Sequence, residues 1–169
     1  MNRFSINRTW NGLAVDPRDQ ATVEFVIDPV VLTVRVEAPF HGDRAPASPP
    51  GSTDGLWEYE VVELFLLGAE DAYLEIELGP HGHYLVLQLK GERRVVKKGL
   101  AITFEVEIDG RRWRGTARIP LSYLPPRVDR ANAYAISGEG ENRRYLAAFP
   151  TGGEIPDFHK LSAFAPVRI

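Results

Sequence analysis

Between Leu56 and Lys90 the chain reads LWEYEVVELFLLGAEDAYLEIELGPHGHYLVLQLK, with an indole, several phenol rings and glutamates recurring at strand spacing. In an extended Trp57–Leu67 strand, Trp57, Tyr59, Val61, Glu63, Phe65 and Leu67 share one face. Glu63 then sits among apolar neighbours, where a bare carboxylate is costly and must be hydrogen-bonded, paired or functional. One reading is an internal ion pair with an arginine such as Arg114 or Arg143. The other is a hydrogen-bond acceptor beside an aromatic platform, which suits a sugar: its apolar ring face stacks on indole while its hydroxyls need directional partners. Trp57 and Glu63 are the leading ligand-binding candidates, with Tyr59, Tyr145 and Gln88 behind them.

Catalysis would need a nucleophile or an acid–base pair. No G-x-S-x-G elbow, phosphate loop or H-E-x-x-H motif occurs. The carboxylates that remain are Glu75 and Glu77, which share a strand face, and Glu63. A glycosidase places two such groups about 5–10 Å apart across the scissile bond. A four-residue Gly68–Asp71 turn pairs Glu63 with Ile76, whereas a slip by one residue sets it opposite Glu77. Three glutamates in amphipathic strands also fit a solvated outer face, so the expectation is a non-catalytic protein.

The elements that must position these residues read almost entirely as strands, with period-two alternation and little helical period. Candidate strands are Arg3–Thr9, Thr22–Ile27, Val31–Ala38, Trp57–Leu67, Ala72–Leu78, His83–Lys90, Leu100–Ile108, Arg112–Ile119, Ala133–Gly138, Tyr145–Phe149 and His159–Phe164. Asp28-Pro29, Gly79-Pro80-His81-Gly82 and Asp109-Gly110 supply turn chemistry. Pro120–Leu124 can make one helical turn before Pro125-Pro126 stops it. His41–Gly55, rich in Pro and Gly, is a long loop that delivers the chain to Trp57; loops of that length are functional or disordered. Many short strands with turns between them predict one all-β domain over residues 1–169, an antiparallel sandwich or barrel.

The composition agrees, with 44% hydrophobic and 25% charged residues in 169. The absence of cysteine removes disulfides and thiolate chemistry and fits a reducing, cytoplasmic setting. No signal-like or membrane-spanning apolar run is present. A formal charge of −3 argues against a nucleic-acid partner. The local basic cluster of Arg93, Arg94, Lys97 and Lys98 fits a solvated hairpin end.

The pattern W-x-x-x-x-V-E-x-F at Trp57–Phe65, Tyr73-x-Glu75 and Gly82 is similar to the family 9 carbohydrate-binding modules and the wider DOMON-like sandwiches. Ile119-Pro120-x-x-x-Leu124 and Asp157-Phe158-His159…Phe164 follow in the same order. Over nearly the whole chain the sequence also resembles an uncharacterised family that includes a human chromosome 4 open-reading-frame product. That match is carried by Ala38-Pro39-Phe40, Leu56-Trp57-x-Tyr59-Glu60-Val61-Val62-Glu63, Tyr73-Leu74-Glu75-x-Glu77-Leu78-x-Pro80-His81-Gly82 and Pro156-Asp157-Phe158-His159. The resemblance implies a jelly-roll-like antiparallel β-sandwich and a carbohydrate-like small-molecule ligand held by Trp57 and Glu63. The second indole of the family's sugar clamp is replaced here by Tyr145 or Phe149. Calcium often accompanies such sandwiches structurally, but Asp16, Asp19, Asp54 and Asp71 follow no ligand spacing, so no cofactor is expected. His81-x-His83 flanks a hairpin with no third ligand in view. Haem is not expected, because the only methionine is Met1. A partner protein is the alternative ligand, through exposed Tyr59, Tyr73 and Tyr84. A concave groove with Trp57 and Glu63 open to solvent favours a small ligand, and a flat apolar patch over an edge strand favours a protein.

Overall fold

A computed structural model describes all 169 residues as a jelly-roll-like β-sandwich with no α-helix. The smaller sheet has the order β1-β3-β4-β11-β10, formed by Asn2–Ile6 (β1), Ala21–Ile27 (β3), Val31–Pro39 (β4), Thr103–Asp109 (β10) and Arg112–Pro120 (β11). The larger sheet runs Arg8–Thr9 (β2), Arg144–Ala147 (β13), Arg130–Ser137 (β12), Val61–Leu67 (β6), Ala72–Leu78 (β7), His83–Lys90 (β8) and Gly51–Ser52 (β5). Val95–Lys98 (β9) pairs with β8, and Ala165–Pro166 (β14) with β12. Pairing is antiparallel except for β5, which lies parallel to β8. No helix is long and apolar enough to cross a membrane.

Several boundaries depart from the expected ones for local reasons. The predicted Arg3–Thr9 strand divides at Asn7, its first half joining one sheet and its second half the other. The predicted Trp57–Leu67 strand begins only at Val61, because Leu56–Glu58 forms a 3₁₀ turn entered through Gly55 at φ 74°. The predicted closing strand His159–Phe164 is instead a 3₁₀ turn, Leu161–Ala163, flanked by coil. The basic hairpin end contains a strand, β9. The Asp109-Gly110 hairpin forms as expected, with Asp109 opposite Arg112.

Strand β6 reads as an apolar run interrupted only by Glu63 because it is buried on both faces. Val62, Leu64 and Leu66 join Leu74, Ile76, Leu78 and Val86 in the core between the sheets, where Phe25, Trp113 and Ile119 meet them from the smaller sheet. The alternate residues make a second apolar layer on the outer face of the larger sheet: Val61, Phe65 and Leu67, then Tyr73, Leu85, Leu87, Tyr134 and Ile136. That layer is roofed by Leu56 and by Phe158, Leu161 and Phe164 of the C-terminal segment. The outer face, not the sandwich interior, therefore carries the site.

Candidate functional site

Leu56 inserts into the outer-face layer, which turns the adjacent Trp57 outward, 44% exposed. The turn is fastened from Arg143, whose guanidinium donates to the carbonyls of Gly138 (2.9 Å), Trp57 and Tyr59 and lies over the Tyr145 ring. The long His41–Gly55 loop is tied to the same place. The Glu60 carboxylate accepts the backbone N–H of His41 at 3.0 Å and of Asp43 at 3.4 Å, and the Asp43 carboxylate accepts Gly138 N–H at 2.6 Å. Gly138 adopts φ 80°, and a Cβ there would collide with the Asn142 carbonyl. Gly138→Ala is expected to cost about 1–3 kcal/mol through overpacking and left-handed strain, read as a lowered urea midpoint.

Behind Trp57 lies a cavity of about 400 Å³. Leu87, Leu89, Ile136 and Phe158 give it apolar walls, Trp57 and Tyr145 flank it, and Glu63 and Glu75 line it with carboxylates. Phe158 is held by stacking on Tyr134, with centroids 4.0 Å apart and planes at 9°. Trp57 and Tyr145 also line a neighbouring cavity of about 380 Å³ with Tyr59, Arg44 and Arg143.

The register places Glu63 directly opposite Glu77. The last ladder pair is Leu67 with Tyr73, so five residues separate the paired positions, not the four of the simplest turn, and Glu70 and Asp71 within them both adopt left-handed φ values of 57° and 55°. Oxygens of Glu63, Glu75 and Glu77 consequently lie within 4.8 Å of one another, all three side chains buried. Burial is the main cause that pushes each carboxyl upward, Glu75 to about 7 and the other two well above the ordinary range. For Glu63 the charge of Glu75 adds to this, and for Glu77 the charges of Glu63 and Glu75. Glu63 forms no ion pair: Arg114 faces Glu37 and Glu107 on the smaller sheet, and Arg143 holds carbonyls.

His159 closes one side. Tyr73 Oη accepts Arg93 N–H at 3.0 Å and lies 2.7 Å from His159 Nδ1. The arrangement that satisfies every group has Tyr73 donating to Nδ1, which leaves a neutral imidazole with its proton on Nε2, 4.0 Å from a Glu75 oxygen. Burial, reinforced by the Arg93 charge, lowers the imidazole to about 4. The Asp157 carboxylate accepts the backbone N–H of His159 at 3.0 Å and meets the Arg93 guanidinium at 2.7 Å.

Of the residues singled out by sequence, Trp57, Glu63 and Tyr145 come together around one cavity. Tyr59 lies beside it in the neighbouring cavity, with the Arg44 guanidinium over its ring. Gln88 does not belong to the site: strand alternation turns it to the opposite face from Leu87 and Leu89, where its amide donates to the Tyr123 carbonyl at 3.0 Å. His81 packs edge-on to Phe40, and His83 Nε2 lies 2.8 Å from the Ser48 carbonyl. Asp16, Asp19 and Asp54 each face a basic side chain, so the loop carboxylates do not gather. Sequence reasoning missed Arg93 and Phe158 as cavity walls and Arg143 as the fastener. Only the Asp157-Phe158-His159 motif signalled any of this.

Three curated relatives align with almost the whole chain. The rat UPF0462 protein C4orf33 homolog is 41% identical over 174 residues, 96% of this chain and 86% of its own length. The zebrafish homolog is 39% identical over 170 residues, covering 95% and 86%, and the human UPF0462 protein C4orf33 is 38% identical over 170, covering 95% and 85%. No protein-family model matches. Among solved structures, a candidate carbohydrate-binding protein from Bacteroides uniformis superposes with a TM-score of 0.75 at 16% identity, covering 98% of this chain and 85% of that one. A family 9 carbohydrate-binding module from Caldicellulosiruptor kristjanssonii, in complex with glucose, gives 0.53 at 15% identity, covering 94% and 81%. These two likenesses establish the fold.

Proposed function

The chain belongs to the UPF0462 family that includes human C4orf33, and from its site we propose a non-catalytic binding module for a carbohydrate-like small ligand. The observation that carries this reading is the cavity itself: about 400 Å³, apolar and aromatic on its walls, with carboxylates at its base. That volume accommodates one or two sugar rings and combines stacking surface with hydrogen-bond acceptors. The fold shared with the two carbohydrate-associated structures supports the same ligand class. Trp57 is the stacking platform, Tyr145 stands where a second ring is wanted, and Glu63 accepts from hydroxyls entering the cavity. Glu63 is only 2% exposed and is reached through the cavity, not across an open groove. The three carboxylates lie side by side on one sheet face instead of confronting each other across a cleft, which argues against hydrolysis.

Ligand-observed NMR against mono- and disaccharides tests the reading. Binding by the natural protein is expected to fall at least tenfold in Trp57→Ala, whose half-exposed indole can be removed with little effect on folding. A well-folded natural protein that binds no sugar in the panel overturns it, and puts a protein partner at the rim formed by Trp57 and Val95 in its place.

A further inference from the structure

The carboxylates of Glu63, Glu75 and Glu77 are desolvated, mutually close and without a cation of their own. The two guanidinium groups that approach them are engaged elsewhere, Arg93 on Asp157 at 2.7 Å and Arg143 on backbone carbonyls. Independently of the clustering, Glu77 is completely buried with neither oxygen hydrogen-bonded, and Glu75 Oε2 is in the same condition. Buried acceptors without donors are rare, and each costs the full desolvation of the group. A fully buried Glu77 carboxyl with no partner, beside one oxygen each from Glu63 and Glu75 within 4.8 Å, indicates that something positive belongs there.

The geometry narrows the class. Two oxygens on one cation are separated by at most twice the metal–oxygen distance, about 4.6–5.2 Å for calcium and about 4.0–4.2 Å for magnesium. Oxygens within 4.8 Å of one another fall inside the limit for the larger ion. His159 presents a protonated Nε2 to this side and is no ligand, so the donor set is oxygen alone, which suits a hard cation. Glu63 and Glu75 line the cavity, which leaves the remaining coordination positions open to solvent or ligand oxygens. We propose that Glu63, Glu75 and Glu77 form a binding site for a calcium-sized divalent cation at the base of the outer-face cavity. It is built on rigid strands β6 and β7, not on loops, and it does not depend on the sugar reading.

The test is thermal unfolding at pH 7.5 of chelator-treated protein titrated with CaCl₂, MgCl₂ or MnCl₂. Calcium at about 100 times its Kd is expected to raise the Tm by about 5–10 °C, with a smaller rise for magnesium. Calorimetry is expected to give one calcium per chain. Glu77→Gln, neutral and nearly isosteric, is expected to fold and to lose both effects, and Glu63→Gln serves the same purpose should that variant misfold. Trp57→Ala is expected to keep the calcium response, which separates a failure here from a failure of sugar binding. No Tm shift with any of the three ions, or an undiminished calcium shift in both glutamine variants, overturns the proposal and assigns the carboxyls to protons alone.

Discussion

Phe65→Ala is expected to destabilise the protein by about 3–5 kcal/mol and to abolish ligand binding at temperatures where the chain is still folded. Phe65 is completely buried at the centre of the outer-face layer. Its ring stacks with Tyr73 at 6.0 Å and meets Tyr134, His159 and Phe164 at 5.2, 5.3 and 5.9 Å. Two of those partners belong to the C-terminal segment, which has no strand of its own between His159 and Phe164 and is anchored mainly by side-chain packing. The deletion therefore removes the aromatic volume on which that segment rests. Phe158 and His159, both cavity walls, lose their fixed position with it. Urea unfolding measures the first effect, and hydrogen exchange confined to residues 156–164 measures the second. By contrast, truncating a still larger residue of the sandwich interior, Trp113→Ala, would lower stability without selectively freeing this segment. A Phe65→Ala protein with native protection in residues 156–164 would show that the segment is held by something other than the ring.

How far the sequence discloses this arrangement depends on the range of the interaction involved. Strands β7 and β8 were readable to the residue, Ala72–Leu78 and His83–Lys90, because alternation and turn residues at both ends act locally. The all-β class followed from the same signals, which left sandwich and barrel open, and the resemblance pointed to the sandwich. The choice between Ile76 and Glu77 as the neighbour of Glu63 was not readable, since it rests on two non-glycine residues adopting left-handed conformations in the connecting turn. That one-residue difference assembles the carboxylate cluster. Trp57 and Glu63 were singled out by residue type, but on a wrong local premise: they do not share a continuous strand, and they line one cavity because Leu56 is drawn into the outer layer. Gln88 was misjudged because an eight-residue strand buried on both faces does not announce which face each residue takes. His159 and Phe158 come from the far end of the chain, and nothing local shows that a C-terminal coil folds back across a sheet.

The titration of Glu75 gives the second large effect. Its neighbours are Glu77 on its own strand, Glu63 on β6, Tyr134 on β12, Tyr73 beside it on β7, Arg93 from the β8–β9 turn and His159 from the C-terminal segment. Burial outweighs the favourable influence of Glu77 and Arg93 and sets its folded value at about 7 against an ordinary 4.5. The folded chain therefore keeps a proton that the unfolded chain releases, and in metal-free protein stability must fall as pH rises from about 4.5 through 7. For Glu75 alone the loss is about 3 kcal/mol, and Glu63 and Glu77, also raised, act in the same direction. His159 acts oppositely: its value falls from 6.5 to about 4, so its contribution is lost as pH drops through that interval. The two slopes offset each other below pH 6.5, and between there and about 7 the decline due to Glu75 is unopposed. Urea unfolding of chelated protein at pH 5.5, 6.5, 7.5 and 8.5 is expected to show that decline, and Glu75→Gln is expected to remove about 2 kcal/mol of it, the part of the Glu75 effect that lies above pH 5.5. A natural protein whose stability is flat from pH 5.5 to 8.5 would mean that Glu75 ionises freely in the folded state. A cation held by all three carboxylates would flatten the profile as well, but only until the chelator removes it, so the difference between the two profiles at pH 8.5 measures how much of the cluster's repulsion the ion relieves.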